Sequence, residues 1–455
     1  MTIDEKRFAP APLAAAPFDV PKASQTTLDN GLRVVVFENK RLPLVNYRLG
    51  FSFGDVNDPA DSRGMTSAMA SMLTEGTENY NSAQFADKVE RLGASLHAAA
   101  SGDFFTVAAS ALSLYSSSIL ELLAEVIQQA TFPEAELDLY RRNTVEHLRF
   151  QRSQPPFLAS EQAARLIYGE HPYSQIAPSP ADVEKLDRDA MAEFRRKMLV
   201  PNNAILIAVG DVERDQFIAE VNERFCNWRQ GSAPGDIFSA PPARSKRTLT
   251  IVDRPGSTQS NIVIANTAIE RCSPDYFAVL VMNQVLGAGA SSRVFMNLRE
   301  EKGYTYGAYT RVEARKLTGG FEGTAEVRSS VTGDSLREFF YEFERIRETK
   351  ASADEIADAK NFLTGVFPIR VETQEGLTNL LVNQFLYGLP DDYLQTYRAN
   401  VEAVTDDQIL DAARKYVRPD EAAIVIVGDA SQMISQVESY ADEIEVFDTN
   451  GAKKN

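Results

Sequence analysis

The stretch that decides the fold is "VEKLDRDAMAEFRRKMLVPNNAILIAVGD", residues 183–211, because a second version of it occurs later in the chain. Residues 401–429, "VEAVTDDQILDAARKYVRPDEAAIVIVGD", align with it without a gap. Each copy is typical of an amphipathic helix, a proline-marked turn and an apolar strand that ends at Gly-Asp. The residues of the first copy that recur unchanged in the second are Val183, Glu184, Asp189, Arg196, Lys197, Pro201, Ala204, Val209, Gly210 and Asp211.

A second matching pair lies upstream of each copy. "LIYGEHPY" (166–173) corresponds to "FLYGLPDDY" (385–393) at nearly the same offset. The chain is therefore a tandem duplication of about 220 residues, a unit far longer than a solenoid repeat. Between the copies, "RQGSAPGDIFSAPPARSKR" (229–247) is rich in Gly, Pro and Ser and lacks periodicity, which indicates a linker.

Each half has the same order of predicted elements, strands followed by helices. In the first half, "LDNGLRVVVF" (28–37) carries an Asn-Gly hairpin signal. Mostly antiparallel sheets packed with helices make an α+β fold, here with two homologous domains in a clam-like arrangement. The predicted divisions are a flexible tail at 1–24, an N-terminal domain at 25–230, a linker at 231–247, a C-terminal domain at 248–448 and a C-terminal tail at 449–455.

Composition excludes several classes of function. The 455 residues carry a formal net charge of −17 and no dense cluster of Lys and Arg, which argues against nucleic-acid binding. No apolar run approaches the roughly 18 residues of a membrane helix, and the N-terminus lacks the pattern of an export signal. Two cysteines, Cys226 and Cys272, cannot form a disulfide framework, and we expect both to be buried or partly buried.

A helix is predicted in "MTSAMASMLTEGT", residues 65–77, and it has a face of small residues. Ser67, Ala70 and Ser71 occupy the i, i+3, i+4 spacing at which a helix can present two metal ligands and a catalytic acid. Zinc requires His, Cys or carboxylate ligands, which these residues do not supply. The three histidines of the chain are also widely separated. The sequence therefore predicts a core helix and no zinc site built by this chain.

A second candidate site lies in "GAGASSRVFMNLREEKGYTYGAYT", residues 287–310. The pattern predicts a helix that stops at Gly303, then a strand on which Tyr304, Tyr306 and Ala308 share one face. The turn could bring the Arg299 guanidinium near the Tyr306 phenol, and such a pair can hold a peptide carbonyl or an oxyanion. On spacing alone the alternative stays open that both residues make ordinary ion-pair and strand contacts.

These motifs together resemble the insulinase (pitrilysin) family of zinc metallopeptidases in its short two-domain form. The matching blocks are "LDNGLRVVV" (28–36), the "GM…MLTEGT" frame (64–77) and "SSRVFMNLREEKGYTY" (291–306). The resemblance spans nearly the whole chain. It implies the α+β fold already expected from the duplication.

The family's zinc motif, His-x-x-Glu-His, lies in the frame around residues 64–77. The resemblance implies that its two histidines fall on Ser67 and Ser71, and that its glutamate falls on Ala70. The family's third ligand, a glutamate farther along, falls in the region of Glu146. Since all three motif residues are replaced, the resemblance implies a vacated zinc site and no cofactor in this chain.

The family's substrate-binding Arg and Tyr fall on Arg299 and Tyr306, and both are present. This split implies the non-zinc subunit of a heterodimeric metallopeptidase, inactive alone, whose homologous zinc-bearing partner completes a site for peptides or unfolded proteins. Alternatives are a non-catalytic scaffold and a peptide-binding, chaperone-like homologue. Bacterial relatives of this type are often exported, so the resemblance implies a periplasmic location, with the cytoplasm as the alternative because no export signal is seen.

Overall fold

The computed structural model describes residues 20, 22–232, 235 and 238–454. Most of the predicted N-terminal tail, residues 1–19 and 21, lies outside the described residues, as do residues 233, 234, 236 and 237 of the linker. The described chain forms two sheets, each packed with helices. None of its helices combines the length and the apolar character needed to cross a membrane.

Among the residues that the structure describes, the first half contributes six strands and eight α-helices. The strands are β1 (Ser24–Thr27), β2 (Arg33–Glu38), β3 (Leu44–Phe51), β4 (Ser95–Ala100), β5 (Phe105–Leu112) and β6 (Ala204–Gly210). The helices are α1 (Met65–Met72), α2 (Ser82–Arg91), α3 (Ser116–Gln129), α4 (Glu134–Arg152), α5 (Pro155–Tyr168), α6 (Pro180–Glu184), α7 (Arg188–Met198) and α8 (Arg214–Phe225).

The second half contributes seven strands and eight α-helices. The strands are β7 (Thr248–Asp253), β8 (Gln259–Thr267), β9 (Thr305–Ala314), β10 (Gly319–Arg328), β11 (Ala423–Gly428), β12 (Ile444–Asp448) and β13 (Lys453–Lys454). The helices are α9 (Tyr276–Leu286), α10 (Arg293–Phe295), α11 (Thr332–Glu348), α12 (Ala353–Glu372), α13 (Gln374–Leu386), α14 (Tyr393–Ala403), α15 (Asp406–Tyr416) and α16 (Ala430–Val437). A π-helical turn, Met296–Glu301, directly continues α10.

The two sheets share one topology, which confirms the α+β prediction. The first has the strand order β1-β2-β6-β3-β5-β4, and the second has the order β13-β12-β7-β11-β8-β10-β9. Five consecutive strands have the same order in both halves, from β2 to the edge strand β4 in one sheet and from β7 to the edge strand β9 in the other. Pairing is antiparallel except between β2 and β6, β7 and β11, and β7 and β12. The repeated stretch forms α7 and β6 in one half and α15 and β11 in the other.

The predicted Asn-Gly hairpin is present between β1 and β2, where Thr27 pairs with Arg33 and Gly31 takes the left-handed φ of +85°. At the other end, part of the segment predicted as a C-terminal tail forms β13, which pairs with β12. Both cysteines are exposed, so the expectation that they are buried or partly buried is wrong. The thiol of Cys272 donates to the carbonyl of Tyr387 at 3.0 Å.

One helix of each half packs on the sheet of the other half. One face of each sheet is covered by helices of its own half, but α5 packs on β8 and β11, and α13 packs on β3 and β6. At Gly50 of β3, an added Cβ would lie 2.6 Å from the side chain of Val382, so only glycine allows α13 to approach this closely. The halves are therefore joined by reciprocal burial of apolar surface, which is the main favourable contribution to folding.

Candidate functional site

Helix α1 carries the three residues at the predicted vacated zinc motif. The Ser67 hydroxyl donates to Asp55 at 2.9 Å, and the Ser71 hydroxyl donates to the Ser67 carbonyl at 3.1 Å. Ala70 is buried in the core of the first half. Two hydroxyls and a methyl group do not fit zinc, which takes imidazole, thiolate or carboxylate ligands. The hydroxyls instead satisfy local hydrogen bonds.

The start of α1 is held by a buried aspartate that the sequence reading missed. The Asp58 carboxylate accepts hydrogen bonds from the backbone N–H of Gly64 at 2.6 Å and of Thr66 at 2.8 Å, and from the Thr66 hydroxyl at 2.6 Å. Burial raises the pKa of Asp58, although these hydrogen bonds favour the ionised form. Gly64 has a φ of +86°, so the frame glycine is required by backbone conformation.

Helix α4 does not supply a metal ligand to this site. Glu146 is exposed and pairs with Arg149 on the same helix. Tyr140 is partly buried and has its hydroxyl near Ser71 and Thr144, and burial raises the pKa of this phenol. Within the described residues, no group of three or more His, Cys, Asp or Glu side chains could hold a metal ion.

Asp55 makes the stability of the first half depend on pH. Burial and the neighbouring charge of Asp58 raise the pKa of Asp55 from 3.8 to about 7. The stabilising contribution of this protonated carboxyl is therefore complete below about pH 4 and is lost as the pH rises through about 7. At about pH 8 we expect Asp55→Asn to unfold at a higher urea concentration than the wild type. Its free energy of unfolding should be larger by an amount on the order of a few kcal/mol.

The urea midpoints of wild type and Asp55→Asn should approach each other as the pH falls from about 7 towards 4, below which the wild-type carboxyl is protonated in both the folded and the unfolded chain. Asp189→Asn is the matched control, because that side chain is 91% exposed. A difference between Asp55→Asn and wild type that stays constant from about pH 5 to pH 8 would contradict the assignment.

The second candidate site begins in the π-helical turn Met296–Glu301. The N–H of Lys302 donates to the carbonyl of Asn297 at 3.0 Å, the i to i+5 pattern of a π-helix. The predicted stop at Gly303 is confirmed, since its φ is +63°. Single π-turns are rare and often lie at functional sites, and this one contains Arg299.

Buried polar side chains from distant helices hold this turn. Arg293 makes a two-bond ion pair with Glu355 of α12, at 2.6 and 2.9 Å. The Asn297 amide donates to Glu338 at 3.2 Å and to Glu342 at 2.9 Å, and both of these carboxylates lie on α11. The sequence reading missed these residues, since their separation along the chain leaves no local pattern.

The guanidinium of Arg299 lies over the ring of Phe295 at 4.8 Å, and the ring of Tyr309 lies 5.5 Å from the same ring. Its closest acidic group among the described residues is Glu300 at 3.4 Å. The Arg299 side chain is 44% exposed, so it is oriented by an aromatic ring while part of it remains open to solvent.

Tyr306 lies in a β-bulge near the start of β9. The register changes between the pairs Ala308–Ala325 and Thr305–Val327, so β9 has one more residue than β10 at this point. The Thr305 hydroxyl accepts from the N–H of Gly307 at 3.1 Å, which stabilises the bulge. Tyr306 is 92% exposed, whereas Ala308 is fully buried. The predicted common face of Tyr304, Tyr306 and Ala308 is therefore wrong, because the bulge interrupts the alternation.

Arg299 and Tyr306 thus stand on either side of one short turn, and both are open to solvent. The N–H of Tyr304 donates to the Leu298 carbonyl at 3.0 Å, which ties the turn to the π-helix. No hydrogen bond joins the two candidate side chains to each other in the part of the chain that the structure describes. The Tyr306 hydroxyl and the Arg299 donors that do not face Glu300 suit an external carbonyl or anion.

Comparison with known proteins assigns the family. Residues 33–176 match the family model described as insulinase, peptidase family M16, and residues 185–363 match the model described as peptidase M16 inactive domain. The chain belongs to the insulinase family. The first match lies within the first half, and the second runs from α7 of the first half through the linker to α12 of the second half.

Relatives of this insulinase-family chain cover nearly its full length. A Helicobacter pylori protein named non-peptidase homolog YmxG is 23% identical over 87% of this chain and 91% of its own length. The probable mitochondrial-processing peptidase subunit beta of Arabidopsis thaliana is 20% identical over 93% of this chain and 83% of its own. A crystal structure described as a peptidase M16 inactive domain, from Pseudomonas fluorescens, has a TM-score of 0.84 and 26% identity, covering 90% of this chain and 98% of that one.

Together, the family match and the residues on α1 are consistent with a non-catalytic subunit. The family resemblance places the zinc ligands at Ser67 and Ser71, where the side chains do not fit zinc. Not all relatives are described as inactive, because a Streptomyces coelicolor protein at 22% identity, covering 86% of both chains, is named an uncharacterized zinc protease.

Proposed function

We propose that this chain is the non-zinc subunit of a heterodimeric metallopeptidase that hydrolyses peptides. A homologous partner subunit with the His-x-x-Glu-His motif carries the zinc, and this chain presents Arg299 and Tyr306 to the bound substrate. The observation that carries the proposal is the split between the two halves. At the positions that the family resemblance assigns to the zinc motif, α1 carries Ser67, Ala70 and Ser71, while Arg299 and Tyr306 are exposed beside a π-turn and a bulge.

The two side chains suit the binding of a peptide in complementary ways. The planar guanidinium of Arg299 offers several N–H donors, and the Phe295 ring restricts its orientation. The Tyr306 hydroxyl is a single donor that no described residue engages. Donors oriented before the reaction stabilise the negative charge that develops on the carbonyl oxygen during hydrolysis. Arg299 would chiefly orient the peptide, and Tyr306 would donate to the oxyanion.

The alternatives are a scaffold subunit and a peptide-binding, chaperone-like protein. The vacated zinc helix agrees with all three functions. The exposed Arg299 and Tyr306 favour the peptidase subunit over the scaffold, because a scaffold does not need oriented donors in solvent. A binding protein would keep the affinity for peptides but show no turnover when a zinc-bearing homologue is present.

The deciding experiment mixes this chain with a zinc-bearing homologue of similar length. We expect each protein alone to show little or no cleavage of a quenched fluorescent peptide, and the mixture to cleave it. Size-exclusion chromatography with light scattering should show a one-to-one complex. Metal analysis should find no stoichiometric zinc in this chain alone, because Ser67, Ala70 and Ser71 supply no suitable ligands.

The matched control replaces the motif glutamate of the partner by glutamine, which should abolish cleavage without preventing assembly. Tightly held zinc in this chain alone, a partner that is fully active alone, or the absence of a complex would each contradict the proposed shared site.

A further inference from the structure

A cavity of about 220 Å³ lies between the sheet of the first half and α13 of the second half. Its polar lining includes Arg48 of β3, Thr106 of β5, and Asn379 and Asn383 of α13. The two asparagines are four positions apart, so they lie on one face of the helix. The cavity is thus bordered by donors that come from both halves of the chain.

Arg48 is the unusual group in this cavity. Its Nε is buried and lacks a hydrogen-bond partner among the residues that the structure describes. No described carboxylate forms an ion pair with it, although the more distant charge of Glu375 acts on it. Burial lowers the pKa of this guanidinium, because the charged form is less well solvated there. A buried donor without a partner is costly, and Arg48 lines a cavity in which a bound group could satisfy it.

The other walls of the cavity are apolar and firmly held. Phe104, Val382 and Leu386 line it. The Phe104 ring packs edge-on against Tyr387 at 4.7 Å. Since Gly50 has no side chain, Val382 and Leu386 of α13 pack directly on the backbone of β3. The cavity therefore exists before any ligand binds, which reduces the entropic cost of binding.

From this combination we infer that the cavity binds a small carboxylate that carries an apolar group, with the carboxylate on Arg48 and the apolar group against Phe104 and Val382. A guanidinium recognises a carboxylate through two parallel hydrogen bonds. The asparagine amides and the Thr106 hydroxyl complete the polar side. The volume suits a short carboxylic acid or the last residue of a peptide with its free C-terminus. This site is separate in its residues from Arg299 and Tyr306.

The test uses isothermal titration calorimetry on the full chain with three probes: butyrate, the peptide Ala-Ala-Leu with a free C-terminus, and the same peptide as its C-terminal amide. We expect at least one of the two acids to bind saturably at one site. The amide should bind at least roughly tenfold more weakly, because it cannot pair with the guanidinium. Binding of butyrate alone identifies a free acid as the ligand, and binding of the peptide acid alone identifies a peptide C-terminus.

Arg48→Gln should weaken the binding of the acid at least roughly tenfold. This variant should fold, because the guanidinium Nε makes no hydrogen bond to the described residues. Arg33→Gln is the matched control: Arg33 also lies beside α13, 5.9 Å from the Phe385 ring, but does not line the cavity. Asn383→Ala is a second variant that tests the site. Since Asn383 lines the cavity but is exposed, its replacement should disturb folding little. Failure of both acids to bind, equal binding of the amide, or unchanged binding by Arg48→Gln would overturn the inference.

Discussion

Tyr306→Phe is expected to lower the kcat of the reconstituted pair by about 10²–10³-fold, the usual effect of removing one oxyanion donor. The substitution removes a hydroxyl that is 92% exposed and makes no contact needed for folding. If the hydroxyl donates mainly in the transition state, KM should change little. Initial rates over a range of peptide concentrations, with size-exclusion profiles to verify assembly, measure both constants.

Arg299→Ala should reduce kcat/KM by a similar factor and also raise KM, because the guanidinium is proposed to bind the peptide before the reaction. Arg299→Lys should recover only part of the loss, since an ammonium cannot reproduce the planar donors. Tyr304→Phe and Tyr309→Phe are the matched controls. Both tyrosines flank Tyr306, and Tyr309 packs near Phe295. Wild-type rates for Tyr306→Phe, or an equal loss for Tyr304→Phe, would show that the donor is assigned to the wrong residue.

The duplication predicted the fold well because the same order of elements occurs in two independent stretches of the sequence. Helix, proline turn and apolar strand recur in residues 183–211 and 401–429, and the structure shows α7–β6 and α15–β11 there. The exchange of α5 and α13 between the halves was not predictable in this way. An amphipathic helix shows in its sequence that one face is buried, but not which sheet buries it.

The candidate site likewise has features that the sequence predicted and features that it did not. Spacing and the family resemblance indicated Arg299 and Tyr306, and local signals located the stop at Gly303. The bulge at Tyr306 was missed, because an extra residue in one strand is defined only by pairing with the other strand. The support of Asn297 by Glu338 depends on tertiary packing, and residues this far apart leave no periodic pattern.

A single buried carboxylate, Asp103, connects the two halves near the tip of the β9–β10 hairpin. It lies in the loop between β4 and β5 and is 5% exposed. Its carboxylate accepts a hydrogen bond from the hydroxyl of Tyr173, which follows α5, and one from the N–H of Lys316 at 3.0 Å. Arg315 at the hairpin tip stacks over Tyr173 at 4.7 Å. Three segments that are distant in the sequence therefore meet at Asp103.

Asp103→Ala should destabilise the protein by about 2–5 kcal/mol, because it leaves a buried hydroxyl and a backbone N–H without an acceptor. Asp103→Asn keeps one acceptor and should cost less. Tyr173→Phe removes both the donor to Asp103 and the acceptor of the Leu317 N–H at 3.3 Å, so it should also destabilise the protein. The control is Asp87→Ala, an exposed partner of Arg91 whose loss should change stability by less than about 0.5 kcal/mol. Urea unfolding followed by circular dichroism and by tryptophan fluorescence measures these effects.

Since β9 leads from the bulge at Tyr306 to this tip, loss of the hydrogen bonds to Asp103 should also loosen the strand that positions Tyr306. A midpoint for Asp103→Ala that matches the control would show that the halves are held by the exchanged helices alone.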